Sequence, residues 1–225
     1  MDIDTLIRER HSVRKYYAHP VEENKLAILS ARIAEINSTH GVHFQMVTED
    51  PEAFSNFILH YGRLEAYNYI ALIGNKKDAT LDEKCGYYGE ELVLKMQELG
   101  LNSCWLALTY SKKSLKVSVA KDERLVLIIA FGYGMNQGMG HKKKTPQEVS
   151  NLAADSPAWF AKGVEYALLA PTAVNQQKFY FTLDGDKVKL KAGHGPSTKV
   201  DLGIVKYHFE LGAGKENFTN SNFVN

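Results

Sequence analysis

The stretch Leu125-Val126-Leu127-Ile128-Ile129-Ala130-Phe131-Gly132 has no polar side chain. An uninterrupted apolar run of this kind reads as a strand covered on both faces, and therefore as the centre of a sheet. Upstream, Tyr69-Ile70-Ala71-Leu72-Ile73-Gly74 is a second short apolar strand, and Val42 to Thr48 alternates as a third. Helical spacing predicts helices over 2–10, over 22–35 with Leu26, Leu29, Ile33 and Ile36 on one stripe, and over 51–67. A further helix is predicted over 82–99, where Leu92, Met96 and Leu99 recur and Gly100 stands at the cap. Downstream of the central strand lies a Gly- and Lys-rich segment, 132–145. After Pro146 a second set begins. It contains a helix over 157–169 opened by Ser156-Pro157, strands over 179–183 and 187–192 joined by Asp184-Gly185-Asp186, and a helix over 199–213. The Asn-rich tail is expected to fray.

The 225 residues suffice for one large domain or two small ones with a real core. Lys plus Arg is 27 against 26 for Asp plus Glu, a balance that argues against a dedicated nucleic-acid binder. No apolar run reaches the ~18 residues needed to span a bilayer. The start, Met1 to Arg10, has no basic, apolar leader. Cys85 and Cys104 have no metal-like or redox-like spacing, and the eight histidines form no ligand pattern. These features predict a cytoplasmic chain with reduced thiols, no bound metal and no membrane contact.

A faint repeat is also present. Residues 31–50 and 167–186 align without a gap, with Ala31 on Ala167, Ala34 on Ala170, Phe44 on Tyr180 and Asp50 on Asp186. Both read as a helix end, a polar loop and a strand, so a duplication is expected, with halves of about 1–145 and 146–225.

Four segments carry candidate chemistry. In Arg10-His11-Ser12-Val13-Arg14, either an extended or a helical backbone puts Arg10 and Arg14 on one side; if extended, Ser12 joins them. Two guanidiniums and a hydroxyl suit a phosphate monoester, although a solvated basic loop has the same composition. Ala170-Pro171-Thr172-Ala173-Val174-Asn175-Gln176-Gln177 leaves a helix with small and amide side chains that fit the edge of a heteroaromatic ring, or simply connect to the next strand. Gly100-Leu101-Asn102-Ser103-Cys104-Trp105-Leu106-Ala107-Leu108 turns out of a helix into an apolar stretch, which core packing alone also explains. Gly132-Tyr133-Gly134, then Gly138, His141 and Lys142-Lys143-Lys144, can hold an anion or form a plain surface loop. A dinucleotide fingerprint is rejected there. Gln137 occupies the place of its third glycine, and the residues that follow make a poor helix start.

Together these segments resemble the FMN-dependent nitroreductase family, and most closely its subgroup with duplicated halves in one chain. Arg10, Ser12 and Arg14 resemble its RxSxR pattern. Residues 170–177 resemble its Ala-Pro-Ser-x-x-Asn-x-Gln segment, 99–107 its Gly-Leu-Gly-x-x-Trp stretch, and Gly132-Tyr133-Gly134 with 141–146 its Gly-Tyr turn and basic pair before a proline. The order departs from the family, because the Ala-Pro-Thr segment lies in the second half. Lys178 stands where proline is common, and Ala107 and Leu108 replace small or acidic residues.

The resemblance implies an α+β fold, a mostly antiparallel central sheet flanked by helices, arranged as a pseudo-dimer within one chain. It implies FMN, with Arg10, His11, Ser12, Arg14, Lys142 and Lys144 toward its phosphate and ribityl chain. Pro171, Thr172, Asn175 and Gln177 line the ring, with Trp105 beside it and Leu106, Ala107 and Leu108 at the N5 edge. No catalytic side chain is implied. NADH or NADPH reduces the flavin and a small electron-poor acceptor reoxidises it, by a ping-pong scheme. Each half keeps only what one site needs, so one FMN per chain and a monomer are expected, with a homodimer through another surface as the alternative. A flavin-binding store or sensor shares every motif, and an interaction domain with a basic loop shares the composition alone.

Overall fold

The computed structural model describes residues 2–54 and 64–220. They divide into two compact units, Glu9–Leu81 with Leu92–Met139, and Asp2–Arg8 with Asp82–Glu91 and Gly140–Asn225. The elements in chain order are α1 (Ile3–Glu9), α2 (Glu23–His40), β1 (Gln45–Val47), β2 (Asn68–Asn75), α3 (Leu81–Glu98), β3 (Asn102–Leu106), β4 (Glu123–Gly132), α4 (Pro146–Val149), α5 (Ala158–Ala167), β5 (Phe179–Asp184), β6 (Lys187–Ala192), α6 (Thr198–Ala213) and β7 (Thr219–Asn220).

In the first unit β4 lies between β2 and β3, in a sheet of order β1-β2-β4-β3 that is antiparallel throughout. Ile129 of β4 pairs with Ile70 on one side and Trp105 on the other. The apolar run thus forms the middle of the sheet, as its sequence predicts. Tyr69, Ala71, Ile73, Ile128, Ala130 and Cys104 pack one face, together with Val13, Tyr16 and Phe54.

Helix α2 runs five residues beyond the predicted end, and the cause is local. Asn37 donates to Phe44 O at 2.9 Å and accepts the Phe44 N–H at 2.8 Å, so the last turns of the helix hold the start of β1. Gly41, at φ 65°, then supplies the left-handed stop. The segment 35–42, expected as a loop, is therefore helical to His40, whereas its aligned counterpart after Ala167 is not. The helix predicted over 51–67 is a 3-10 turn at Pro51–Phe54; at its other end Glu65 bridges Lys15, and 55–63 lie outside the described residues. The apolar exit from α3 is a strand, β3.

In the second unit β5 and β6 form the predicted hairpin, with Gly185 at φ 63° in its turn. β7 adds in parallel to β6, so this sheet is mixed; the tail expected to fray, 221–225, lies outside the described residues. The core here is aromatic. Phe181 stacks on Phe209 at 4.4 Å, and Phe160 and Phe218 meet Phe209 edge-on. Each such ring contributes roughly 1.5–3 kcal/mol by burial. The middle of α3 and the helix α6 approach backbone to backbone, because a Cβ on Gly203 would stand 2.0 Å from Glu83 O. Around this crossing His208 Nε2 meets Glu90 Oε1 at 2.8 Å, and Lys206 lies over the Tyr87 ring, all without leaving the unit.

Candidate functional site

The predicted site residues fall into two groups, one in each unit. Arg10, His11, Ser12, Arg14, Trp105, Leu106, Ala107 and Leu108 belong to the first, and Lys142, Lys144, Pro171, Thr172, Asn175 and Gln177 to the second.

In the first unit, the segment after α1 is extended and runs beside β3. Val13 N donates to Ser103 O at 3.0 Å, and Ser12 bridges Ser103. Burial raises the pKa of the Cys104 thiol, and the Arg14 charge, the Ser12 hydroxyl and the Arg10 charge oppose the rise. Two guanidiniums and a hydroxyl within one five-residue segment are the kind of donors that a phosphate monoester takes. Arg10 is only 4% exposed, whereas Arg14 is open to solvent. Burial and the neighbouring Arg10 charge lower the pKa of His11 and favour its neutral form.

The loop after β4 closes over this segment. Gly138, at φ 73°, lies so close that a Cβ there would stand 2.7 Å from the His11 Cβ and 3.0 Å from Ser12 O. Asn102 pins the same loop, accepting the Gly134 N–H at 3.0 Å and donating to Gln137 Oε1 at 3.0 Å. No helix follows Gly134 before Pro146, which agrees with rejection of the dinucleotide fingerprint. At the other end of β3, Leu106 is buried while Ala107 is exposed and Leu108 is 71% exposed.

In the second unit, the loop 171–178 and the lysine segment are tied together. Asn175 Nδ2 and Gln177 Nε2 both donate to Lys142 O, at 2.9 and 2.8 Å. Lys144 N donates to Gln177 Oε1 at 2.9 Å, and Gln177 N donates to Thr172 Oγ1 at 3.1 Å. The amides that the sequence offers to a ring edge are thus engaged with backbone. Val174, Asn175 and Gln177 all have left-handed backbones, at φ 47°, 53° and 46°. That conformation is strained for a β-branched valine. The strained loop is gripped from α6, where Asp201 accepts the Ala173 N–H at 2.9 Å and the Gln176 amide at 2.7 Å. Burial pushes the Asp201 carboxyl up to about 6, against the pull of these bonds.

Asp201 and Asn102 escape a reading by motif. Asp201 lies 25 residues from the amide it holds, and Asn102 lies 32 from the amide it accepts, so neither has a local spacing to betray it. Among the described residues no group of His, Cys, Asp and Glu could hold a metal ion, and no helix is long and apolar enough to cross a membrane.

Residues 2–213 match the family described as "Putative TM nitroreductase". Among solved structures, a putative nitroreductase from Thermotoga maritima aligns over 94% of this chain and 83% of its own, with 24% identity and a TM-score of 0.68. A putative NADH dehydrogenase/NAD(P)H nitroreductase from Bacteroides thetaiotaomicron covers 64% of this chain and 94% of its own, at 18% identity and a TM-score of 0.51. A putative NADH oxidase from Clostridium acetobutylicum covers 68% and 99%, at 19% identity and a TM-score of 0.51. At these identities the likeness is one of fold. No curated protein matches.

Proposed function

Since the chain belongs to the putative TM nitroreductase family, we propose that it is an FMN-dependent NAD(P)H oxidoreductase acting on electron-poor acceptors such as nitroaromatics or quinones. The observations that support this reading are the family match over residues 2–213 and the placement beside β3 of one segment that holds Arg10, Ser12 and Arg14. Such a donor set fits the terminal phosphate of FMN better than a diphosphate, which asks for a glycine-rich turn at a helix start.

When bound, FMN supplies the ring that takes hydride from NAD(P)H and passes electrons to the acceptor. Arg10, Ser12 and Arg14, with Lys142 and Lys144, would hold its phosphate and ribityl chain. Pro171, Thr172, Asn175 and Gln177 would line the ring, as would Trp105 and the backbone of 106–108. Asn175 and Gln177 are already hydrogen-bonded to the lysine segment, so they order the loop that would line the ring. Donor and acceptor use one position in turn, which makes the kinetics ping-pong. The two halves of the chain complete one site, so a monomer carries one FMN.

The purified protein is expected to be yellow, to release one FMN per chain on denaturation, and to give parallel double-reciprocal lines for NAD(P)H against menadione. A protein that stays colourless and takes up no added FMN would sink the reading. Two FMN per chain, or flavin lost on dilution to monomer, would sink the single-chain site.

A further inference from the structure

The hairpin of the second unit carries a basic, aromatic face, and of the groove on it the flavin reading uses only Lys144 and Gln177. Strand alternation puts Lys178, Tyr180 and Thr182 of the β5 segment on one side, and Tyr180 pairs in register with Lys191 of β6. Lys187 and Lys189 share that side, and Lys189 has Asp184 at 3.6 Å as its partner. Lys178 and Lys191 are exposed, and the Tyr180 ring between them is 40% exposed. With Lys144, Phe179, Gly193 and His194 these side chains line a groove of about 330 Å³, within the range of small-molecule sites.

Two of its ammonium groups are held in place by backbone. Lys178 Nζ donates to His194 O at 2.8 Å, and Lys144 Nζ to Gln177 O at 2.8 Å. The turn that carries His194 is pressed onto Lys178. A Cβ on Gly193 would stand 3.1 Å from the Lys178 Cβ, and one on Gly195 would stand 3.2 Å from its Nζ. Among the described residues Lys144, Lys178 and Lys191 have no carboxylate within ion-pair distance. A chain of net charge +1 thus sets two exposed lysines, Lys178 and Lys191, beside one open aromatic ring.

We infer that this groove binds the adenosine end of a phosphorylated nucleotide, the base on the Tyr180 ring and a phosphate monoester on Lys178 and Lys191. A planar base stacks on an exposed tyrosine, and a monoester takes several charge-assisted hydrogen bonds from lysines. The chemistry has two sources, the 2′-phosphoadenosine end of NADPH and a free adenosine mononucleotide. The first rests on the oxidoreductase reading and makes the groove the device that selects NADPH over NADH.

The test is calorimetric titration of FMN-saturated protein with adenosine 2′,5′-bisphosphate, NADP⁺, NAD⁺ and 5′-AMP. Expected are saturable binding of the bisphosphate and NADP⁺, with NAD⁺ at least tenfold weaker. Lys191→Glu is expected to weaken the bisphosphate at least tenfold. Tyr180→Ala is expected to weaken it severalfold, with Tyr180→Phe retaining binding because the ring and not the hydroxyl is used. Binding of 5′-AMP as tight as the bisphosphate, without NADP⁺ binding, supports the groove and assigns it to a free mononucleotide. No saturable binding, binding indifferent to Lys191→Glu, or displacement of the bisphosphate by added FMN overturns the proposal. A protein that takes no FMN but binds the bisphosphate through Lys191 and Tyr180 refutes the flavin reading and leaves the groove standing.

Discussion

Lys144 clasps Gln177 with two hydrogen bonds, both of which it donates: its backbone N–H to Gln177 Oε1 at 2.9 Å and its Nζ to Gln177 O at 2.8 Å. With Asn175 on Lys142 O, this clasp joins the strained loop 171–178 to the lysine segment. Gln177 is buried, so its amide cannot be replaced by water. Gln177→Ala leaves the Lys144 N–H without its side-chain acceptor and Lys142 O with one donor fewer, which costs about 1–3 kcal/mol. Urea titration at neutral pH reads the loss directly. A midpoint equal to that of the parent protein means the clasp contributes nothing.

Asp201 makes the grip on the same loop dependent on pH. Its carboxyl titrates at about 6 in the fold, against an ordinary value of 3.8. Because the folded pKa is raised, the stabilising contribution is fully present below the ordinary value. It is lost as pH rises through about 6. The difference amounts to roughly 2–3 kcal/mol between pH 4 and 7. Asp201→Asn cannot ionise, so the stability difference between parent and variant is expected to drift by that amount across this window, the parent losing ground as pH rises. A difference that stays flat from pH 4 to 7 excludes an elevated Asp201.

Much of the fold can be read from hydrophobic pattern alone. The run at 125–132 is central because its backbone pairs with β2 along most of its length and with β3 over 128–132, and the β5–β6 hairpin follows from alternation around Asp184-Gly185-Asp186. Harder to read are the places where one side chain overrules the local pattern. Asn37 carries α2 past its apolar stripe by holding Phe44, and no spacing rule announces that contact. For the candidate site, the RxSxR segment is legible as two arginines and a hydroxyl at alternate positions, but its pairing with Ser103 of β3 is a long-range contact that no local spacing announces. The amides of Asn175 and Gln177 are legible as a polar loop, but their attachment to the Lys142–Lys144 backbone is a long-range contact that depends on three left-handed residues in a row of four.

The crossing of α3 and α6 has no room for a side chain. Gly203 would bring a Cβ to 2.0 Å from Glu83 O, and Gly86 would bring one to 2.0 Å from Val200 O. The obstacle in each case is backbone, which cannot rotate away. Gly203→Ala is therefore expected to destabilise by about 3 kcal/mol or more, at the upper end of overpacking costs. Gly41→Ala is the control: it has open space around its Cβ position and pays only for its left-handed backbone, about 1–2 kcal/mol. Thermal melting of the two variants side by side should place Gly203→Ala well below Gly41→Ala. The reverse order would show that the helices separate without penalty.

Arg10 and Arg14 differ in environment, and that contrast makes the phosphate assignment testable. Arg10 is 4% exposed beside His11, Ser12 and Cys104, while Arg14 is open to solvent. A charged hydrogen bond made in the sheltered position is worth more than one screened by water. Arg10→Ala is expected to weaken FMN binding by about 1.5–3 kcal/mol, and Arg14→Ala by less. Arg10→Lys keeps the charge but loses the planar fork, so it should recover only part of the loss. Fluorescence titration with FMN at 50 and 300 mM salt separates these contributions, since the Arg14 share should shrink with salt and the Arg10 share should persist. An FMN affinity unchanged in Arg10→Ala removes Arg10 from the site. A loss larger in Arg14→Ala than in Arg10→Ala would move the phosphate to the exposed end of the segment.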